Sequence, residues 1–152
     1  VENADKSIFN KANYIVTPTE KNTRGAIETT KQIGRLLGFK TVSELSPEKH
    51  DEMIGFLSQL THCIAVSLMD CKESERLVDY TGDSFRDLTR IAKINDAMWS
   101  ELFLLNKGEL ISQMDLFMSK FKELRDALEN EDTEKMREMM RISTERRKYF
   151  DK

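Results

Sequence analysis

Residues 80–106 read YTGDSFRDLTRIAKINDAMWSELFLLN, and the remaining chain takes its meaning from this stretch. A glycine-bearing turn, Thr81-Gly82-Asp83-Ser84, feeds a segment in which Arg86 and Arg90 stand four residues apart. On a helix that spacing puts both guanidinium groups on one face, and two such forks suit a ligand with two carboxylates. Asp87 and Thr89 lie between them as partners for a guanidinium or a bound hydroxyl. Ile91, Met98, Leu102 and Leu105 are expected to anchor the neighbouring turns in a core, with Trp99 close by. Spacing alone favours a plainer meaning, a solvated helix face on which Asp87 is a surface ion-pair partner of little weight.

Upstream, Ser46 and Pro47 supply an N-cap and a first helical residue. The helix they start is expected to run to about Met69 and to be mostly buried, since Met53, Ile54, Phe56, Leu57, Leu60, Ile64, Ala65 and Leu68 cover most of its circumference. One stripe differs: Asp51, Gly55, Ser58 and His62 are spaced by four, three and four, which lines up small and polar residues suited to a groove. Asp51 and His62 are separated by about 16 Å of helix rise and would serve different parts of a site. The ordinary meaning of a histidine on an apolar helix is a core residue satisfied by a neighbouring carbonyl. A zinc site from His50 and His62 is not supported, for no third or fourth ligand converges.

Before Ser46 the pattern changes. Asn13 to Thr17, NYIVT, reads as a strand stopped by Pro18. A helical pattern at Ile27, Ile33, Leu36 and Leu37 is closed by Gly38, and Phe39 to Val42 gives a second strand. Two strands are too few for a sheet of their own. The chain contains no G-x-G-x-x-G, and Gly34 and Gly38 follow a helical pattern rather than a strand, so the loop that cradles a dinucleotide pyrophosphate is missing.

After Asn106, Leu110, Met114, Phe117, Phe121, Leu124 and Leu128 form a heptad seam, which needs another helix. Asn130 to Asp132 is a polar turn, and the last helix begins with acids and ends with Arg146, Arg147 and Lys148, matching its dipole. Its stripe of Met136, Met139, Met140, Tyr149 and Phe150 packs either on its predecessor or on a second subunit.

The 152 residues suffice for one well-buried core, and a formal charge of −3 with interleaved signs excludes the concentrated basic patch of a nucleic-acid binder. No segment approaches the length of a membrane span and no signal peptide is recognisable, which points to a cytoplasmic protein with no membrane partner. Cys63 and Cys71 lack a paired spacing and read as buried free thiols.

Two runs carry a resemblance: SPEKHDEMIGFLSQLTHCIAVSLM at 46–69 and SFRDLTRIAKINDAMWSELFLLN at 84–106 together resemble the C-terminal half of the prephenate dehydrogenases, enzymes of tyrosine biosynthesis. The likeness runs from about Asn13 to the end of the chain, and the combination FRD-TRIA-MW-N is what makes it specific. The family usually has a run of glycines where this chain has Gly82-Asp83-Ser84, and a proline where it has Thr61. The first departure bears on the turn that aims Arg86, the second on the local bend beside His62.

The resemblance implies a mainly α fold: a helical dimerisation domain of the 6-phosphogluconate-dehydrogenase-like C-terminal type over 45–152, preceded over 1–44 by a strand-helix-strand remnant of a Rossmann domain. It implies NAD- or NADP-dependent oxidative decarboxylation of prephenate to 4-hydroxyphenylpyruvate by a homodimer. His62 would contact and orient the substrate and Arg90 would grip its ring carboxylate. Asp51 beside His50 matches a family HD pair that organises charge, and Arg86 and Asp87 complete the expected substrate-binding set. The family's catalytic histidine and its glycine loop have no counterpart here, so the chain reads as a fragment, inactive alone and binding no cofactor or metal. Two alternatives stand: arogenate dehydrogenase on the same scaffold, and a non-catalytic helical dimerisation module in which Arg86 and Arg90 are surface charges.

Overall fold

The computed structural model describes residues 5–73 and 75–151; the ends of the two expected domains, residues 1–4 and 152, lie outside them, as does Ser74. The chain is mainly helical and separates into two compact units, one running to Ile94 and the other beginning at Asn95. The change from strands to helices at residue 45 falls inside the first unit.

The first unit opens with β1 (Asn13–Val16), α1 (Arg24–Leu36) and β2 (Thr41–Glu44). The strands pair in parallel, with Asn13 opposite Thr41 and Val16 opposite Glu44. Thr23 caps α1, its hydroxyl accepting from the Ala26 N–H at 3.2 Å. Gly38 follows the helix at φ 86°, the left-handed conformation that glycine supplies at a helix end. Gly34 has a packing role, because a Cβ there would lie 2.6 Å from the Tyr14 ring. The second strand begins two residues later than the sequence pattern suggests. Phe39 does not open it; its ring packs against those of Phe9 and Tyr14, with centroids 4.9 Å away in each case. Lys31 pairs with Glu28 and Glu44, tying α1 to β2. The Lys31 ammonium holds the Glu44 carboxyl below its ordinary value.

Next comes one continuous helical run made of α2 (Pro47–Ile54), a π turn (Gly55–Gln59) and α3 (Leu60–Asp70). Ser46 caps its start, accepting from the Lys49 N–H at 3.2 Å. In the π turn the Leu60 N–H reaches back five residues to the Gly55 carbonyl. The expected burial is not found: Gly55, Gln59, Leu60 and Ala65 are buried, whereas Phe56, Leu57 and Val66 are exposed. Its apolar circumference is thus only partly covered within this chain. At 24 residues, with a mean hydropathy of 1.3 over an 18-residue window, the run also meets the length and composition of a membrane-crossing helix. That overturns the expectation that no segment approaches such a length, although the core helix of a soluble protein passes the same test.

After a turn at Leu77–Tyr80, α4 (Asp83–Thr89) and a 3₁₀ turn (Arg90–Ala92) both pack on α3. Phe85 meets Leu68, Met69 and Leu77 around a small, mostly apolar cavity of about 140 Å³. Cys63 is half-buried, and burial pushes its thiol pKa up; Cys71, contrary to expectation, is exposed.

The second unit holds α5 (Asp96–Leu105), α6 (Lys107–Glu129) and α7 (Thr133–Arg147). Asn95 caps α5 and Asp132 caps α7, accepting from the Met98 and Lys135 N–H groups at 3.0 and 2.9 Å. Glu131, in the turn between α6 and α7, has φ 54°. Met98, Leu102 and Leu105, expected in a core, are exposed. Along the α6 seam Leu110 is buried, Met114 and Leu124 are half-buried, and Phe117, Phe121 and Leu128 are exposed. α7 covers the seam only in part: its Met136 and Met139 are half-buried, and every residue from Met140 to Asp151 is exposed.

Candidate functional site

The expected site residues all belong to the first unit. His62 lies in the first turn of α3, directly after the π turn, and is half-buried. Its Nδ1 lies 2.9 Å from the Ser58 carbonyl. A carbonyl can only accept, so Nδ1 carries a proton and Nε2 is the acceptor nitrogen of the neutral ring. The same carbonyl accepts from the Thr61 hydroxyl at 2.6 Å. The contact expected of an ordinary core histidine is therefore present at one ring nitrogen, and it fixes the tautomer and orientation of the other.

The polar stripe predicted from α-helical spacing is not a single stripe. A π turn takes one residue more than an α turn, so residues beyond it are rotated by about 100° from their α-helical register. Asp51, on α2 ahead of the turn, is exposed and lies 3.1 Å from His50 Nδ1, whereas Gly55 is buried and Ser58 and His62 are half-buried. The π turn brings in a residue that periodicity did not single out: Gln59, only 4% exposed, a polar side chain one turn before His62. Helices widened in this way are over-represented at functional sites. In the sequence Gln59 is marked only by its place between Leu57 and Leu60, which does not set it apart from a solvent-facing glutamine.

The arginines sit on segments that pack against the helix of His62. Arg86 is on α4, exposed, with Asp83 at the 4.0 Å limit of an ion pair. Arg90 begins the 3₁₀ turn, and Thr89 before it has φ −95° and ψ −2°. The α-helix therefore ends one residue short of the register that would place both guanidinium groups strictly on one face. Thr89 is not a guanidinium partner; its hydroxyl donates to the Phe85 carbonyl at 2.7 Å. Asp87 is exposed and pairs with neither arginine among the described residues. The structure thus brings α4, the Arg90 turn and α3 together and leaves Asp51 on a separate, solvated turn. Trp99, in the second unit, packs on Phe103 with centroids 5.6 Å apart.

Against known proteins, the profile of the family described as "Prephenate dehydrogenase, dimerization domain" matches residues 46–142. A prephenate dehydrogenase of Bacillus subtilis is 33% identical over 138 residues, which are 88% of this chain and 37% of that protein. A crystal structure of prephenate dehydrogenase from A. aeolicus, in complex with hydroxyphenyl propionate and NAD+, superposes with a TM-score of 0.80 at 31% identity, covering 90% of this chain and 49% of the other. An arogenate dehydrogenase from Synechocystis shares the fold with a TM-score of 0.84 at 18% identity, over 98% of this chain and 56% of the other. The chain spans between about a third and a little over half of the length of these proteins. With the family profile covering the helices that carry His62 and both arginines, the chain belongs to the prephenate dehydrogenase family, in the part that family uses for dimerization.

Proposed function

We propose that this chain is the helical substrate-binding and dimerisation part of an NAD(P)-dependent prephenate dehydrogenase, acting in oxidative decarboxylation of prephenate to 4-hydroxyphenylpyruvate. The observation that carries the reading is the packing of α4 and the Arg90 turn on α3, which gathers two guanidinium-bearing segments around the helix of an oriented histidine. Prephenate has two carboxylates. Arg90 holds the ring carboxylate through a planar fork, and His62 orients the ligand through Nε2, its ring fixed by the Ser58 carbonyl. Arg86 adds positive potential along the same segment; Asp51 and Asp87 modulate it from solvated positions. What this part contributes to the rate is positioning.

The reading assigns no dinucleotide site to the described residues. Gly34 is used against the Tyr14 ring and Gly38 ends α1, so neither belongs to a phosphate-binding loop, and the two-stranded sheet offers no glycine turn at a strand end. No chemical step is assigned to a cofactor within this chain, and alone it turns over no substrate. The open α6 seam, with Phe117, Phe121 and Leu128 exposed, supports homodimer formation, because a face of this kind is covered by a partner in stable proteins.

The test is prephenate-dependent NAD reduction by the natural full-length protein, with arogenate and NADP in parallel and this chain as control. Activity with prephenate and an inert chain is the expected outcome. Preference for arogenate reassigns the substrate, and a folded, cofactor-binding protein inactive on both retains only the dimerisation role.

A further inference from the structure

Threonine and serine hydroxyls return to the backbone at several points in the helices. The carbonyls of Ala26, Phe85, Ala97 and Met140 each take one such hydroxyl, from Thr30, Thr89, Ser100 and Thr144. This is the ordinary local habit of these side chains. The carbonyl of Ser58, inside the π turn, differs by accepting from two side chains, the Thr61 hydroxyl at 2.6 Å and His62 Nδ1 at 2.9 Å. The hydroxyl contact is the shorter of the two, and Thr61 is exposed while His62 is half-buried. An exposed threonine contributes little by packing, so the hydroxyl is what this position offers.

Resting on the reading of His62 as the group that orients the ligand, we propose that Thr61 is a positioning residue: its hydroxyl holds the Ser58 carbonyl turned outwards, where it fixes the His62 ring. In an undisturbed helix a carbonyl points along the axis to an N–H one turn on. A side-chain donor outside that ladder draws the oxygen outwards and bends the helix locally. Thr61 supplies such a draw from the position next to His62, and the oxygen, with two lone pairs, becomes a stationary acceptor for the ring as well. Because a carbonyl cannot donate, the ring contact lasts only while the proton stays on Nδ1, which leaves Nε2 as an acceptor. Without the hydroxyl the carbonyl returns to the ladder, and the ring is free to take its other tautomer. Nε2 then carries the proton and meets a ligand as a donor. One exposed hydroxyl therefore decides the hydrogen-bonding polarity that His62 presents. No step of the reaction passes through Thr61, which acts only through the histidine.

The experiment compares Thr61→Val, which deletes the hydroxyl, with Thr61→Ser, which keeps it. Thr61→Ala repeats the deletion with a better helix former, so a folding defect of the valine variant decides nothing. Circular dichroism checks the helix content of each. The ring is read by nitrogen NMR of the isotope-labelled histidines at a pH where imidazole is neutral. The chain has two histidines, and His50→Gln leaves the signal of His62 alone. The parent and Thr61→Ser are expected to show a protonated Nδ1 and an unprotonated Nε2. In Thr61→Val and Thr61→Ala the tautomer ratio should shift towards Nε2–H by about fivefold, the effect of losing one hydrogen bond. In the natural full-length protein the same two variants should raise the Michaelis constant for prephenate by about three- to fivefold with kcat within about twofold, and Thr61→Ser should match the parent. A tautomer unmoved by the deletions, or a serine variant that behaves like them, overturns the proposal. So does a shifted tautomer with an unchanged Michaelis constant where His62→Ala raises that constant. If His62→Ala itself leaves the constant unchanged, the ligand role of His62 falls, and the NMR result still decides whether Thr61 holds its ring.

Discussion

The helical runs Pro47–Asp70 and Lys107–Glu129 are nearly equal in length, 24 and 23 residues, but are built for different ends. The first is interrupted by a π turn, buries a glutamine and spends a backbone carbonyl on two side chains, Thr61 and His62. The second is α-helical throughout and shows its irregularity only in what it leaves uncovered. Disturbed backbone geometry accompanies the residues assigned to a ligand; regular geometry with an open apolar seam accompanies those assigned to a second copy. The contrast teaches where to look in each run: at hydrogen bonds in one, at exposure in the other.

Proline scanning should separate the two runs most sharply. Ser119→Pro, in the middle of regular α6, is expected to cost about 3 kcal/mol or more. Thr61→Pro, beside a turn already widened, is expected to cost less than about 1 kcal/mol. Urea denaturation of both variants measures this, and equal costs would mean that the π turn does not relieve the helix. Phe121→Asp comes next. Its dimer dissociation constant should rise about a hundredfold, as for a buried aromatic anchor at an interface, without loss of helix content. A dimer as tight as the parent would show that the seam faces solvent.

Arg90→Ala, in the full-length enzyme, is expected to raise the Michaelis constant for prephenate about tenfold or more, because a charge-assisted contact is worth roughly 1.5–3 kcal/mol. An unchanged constant would return Arg90 to the surface charges. The smallest effect is that of acid on the hairpin. Lys120, with Lys135 beside it, holds the Glu123 carboxyl below its ordinary 4.5. A carboxylate with a depressed folded value contributes its stability above the unfolded value and loses it as pH falls through the folded one. Thermal melts should therefore be level above about pH 5 and decline below pH 4.5, and Glu123→Gln should flatten that decline.

Much of this was legible in the chain itself. Caps announced the elements: Ser46-Pro47 began the long run, Gly38 ended α1, and the break at Asn106 divided α5 from α6. Other features were hidden for physical reasons. A π turn leaves no periodic mark, since the residues around Gly55 keep an α-like apolar pattern while the backbone shifts register. Phe39 has the composition of a strand residue, and only the tertiary cluster with Phe9 and Tyr14 draws it away from β2. Burial was overestimated along Pro47–Asp70 and α5 because an apolar side chain signals that it needs a cover without saying which chain supplies it. Among the site residues, family likeness assigned roles that spacing did not, and spacing placed Asp51 in line with His62 where the backbone separates them.

Glu131 carries one more consequence. A glutamate at φ 54° occupies backbone space that glycine or asparagine fills with less strain, by about 1–2 kcal/mol for a single residue. Anyone engineering this chain for heat resistance would replace it early with Gly or Asn, and the chain should melt later. A library selected only for melting temperature would therefore drift towards glycine or asparagine at 131.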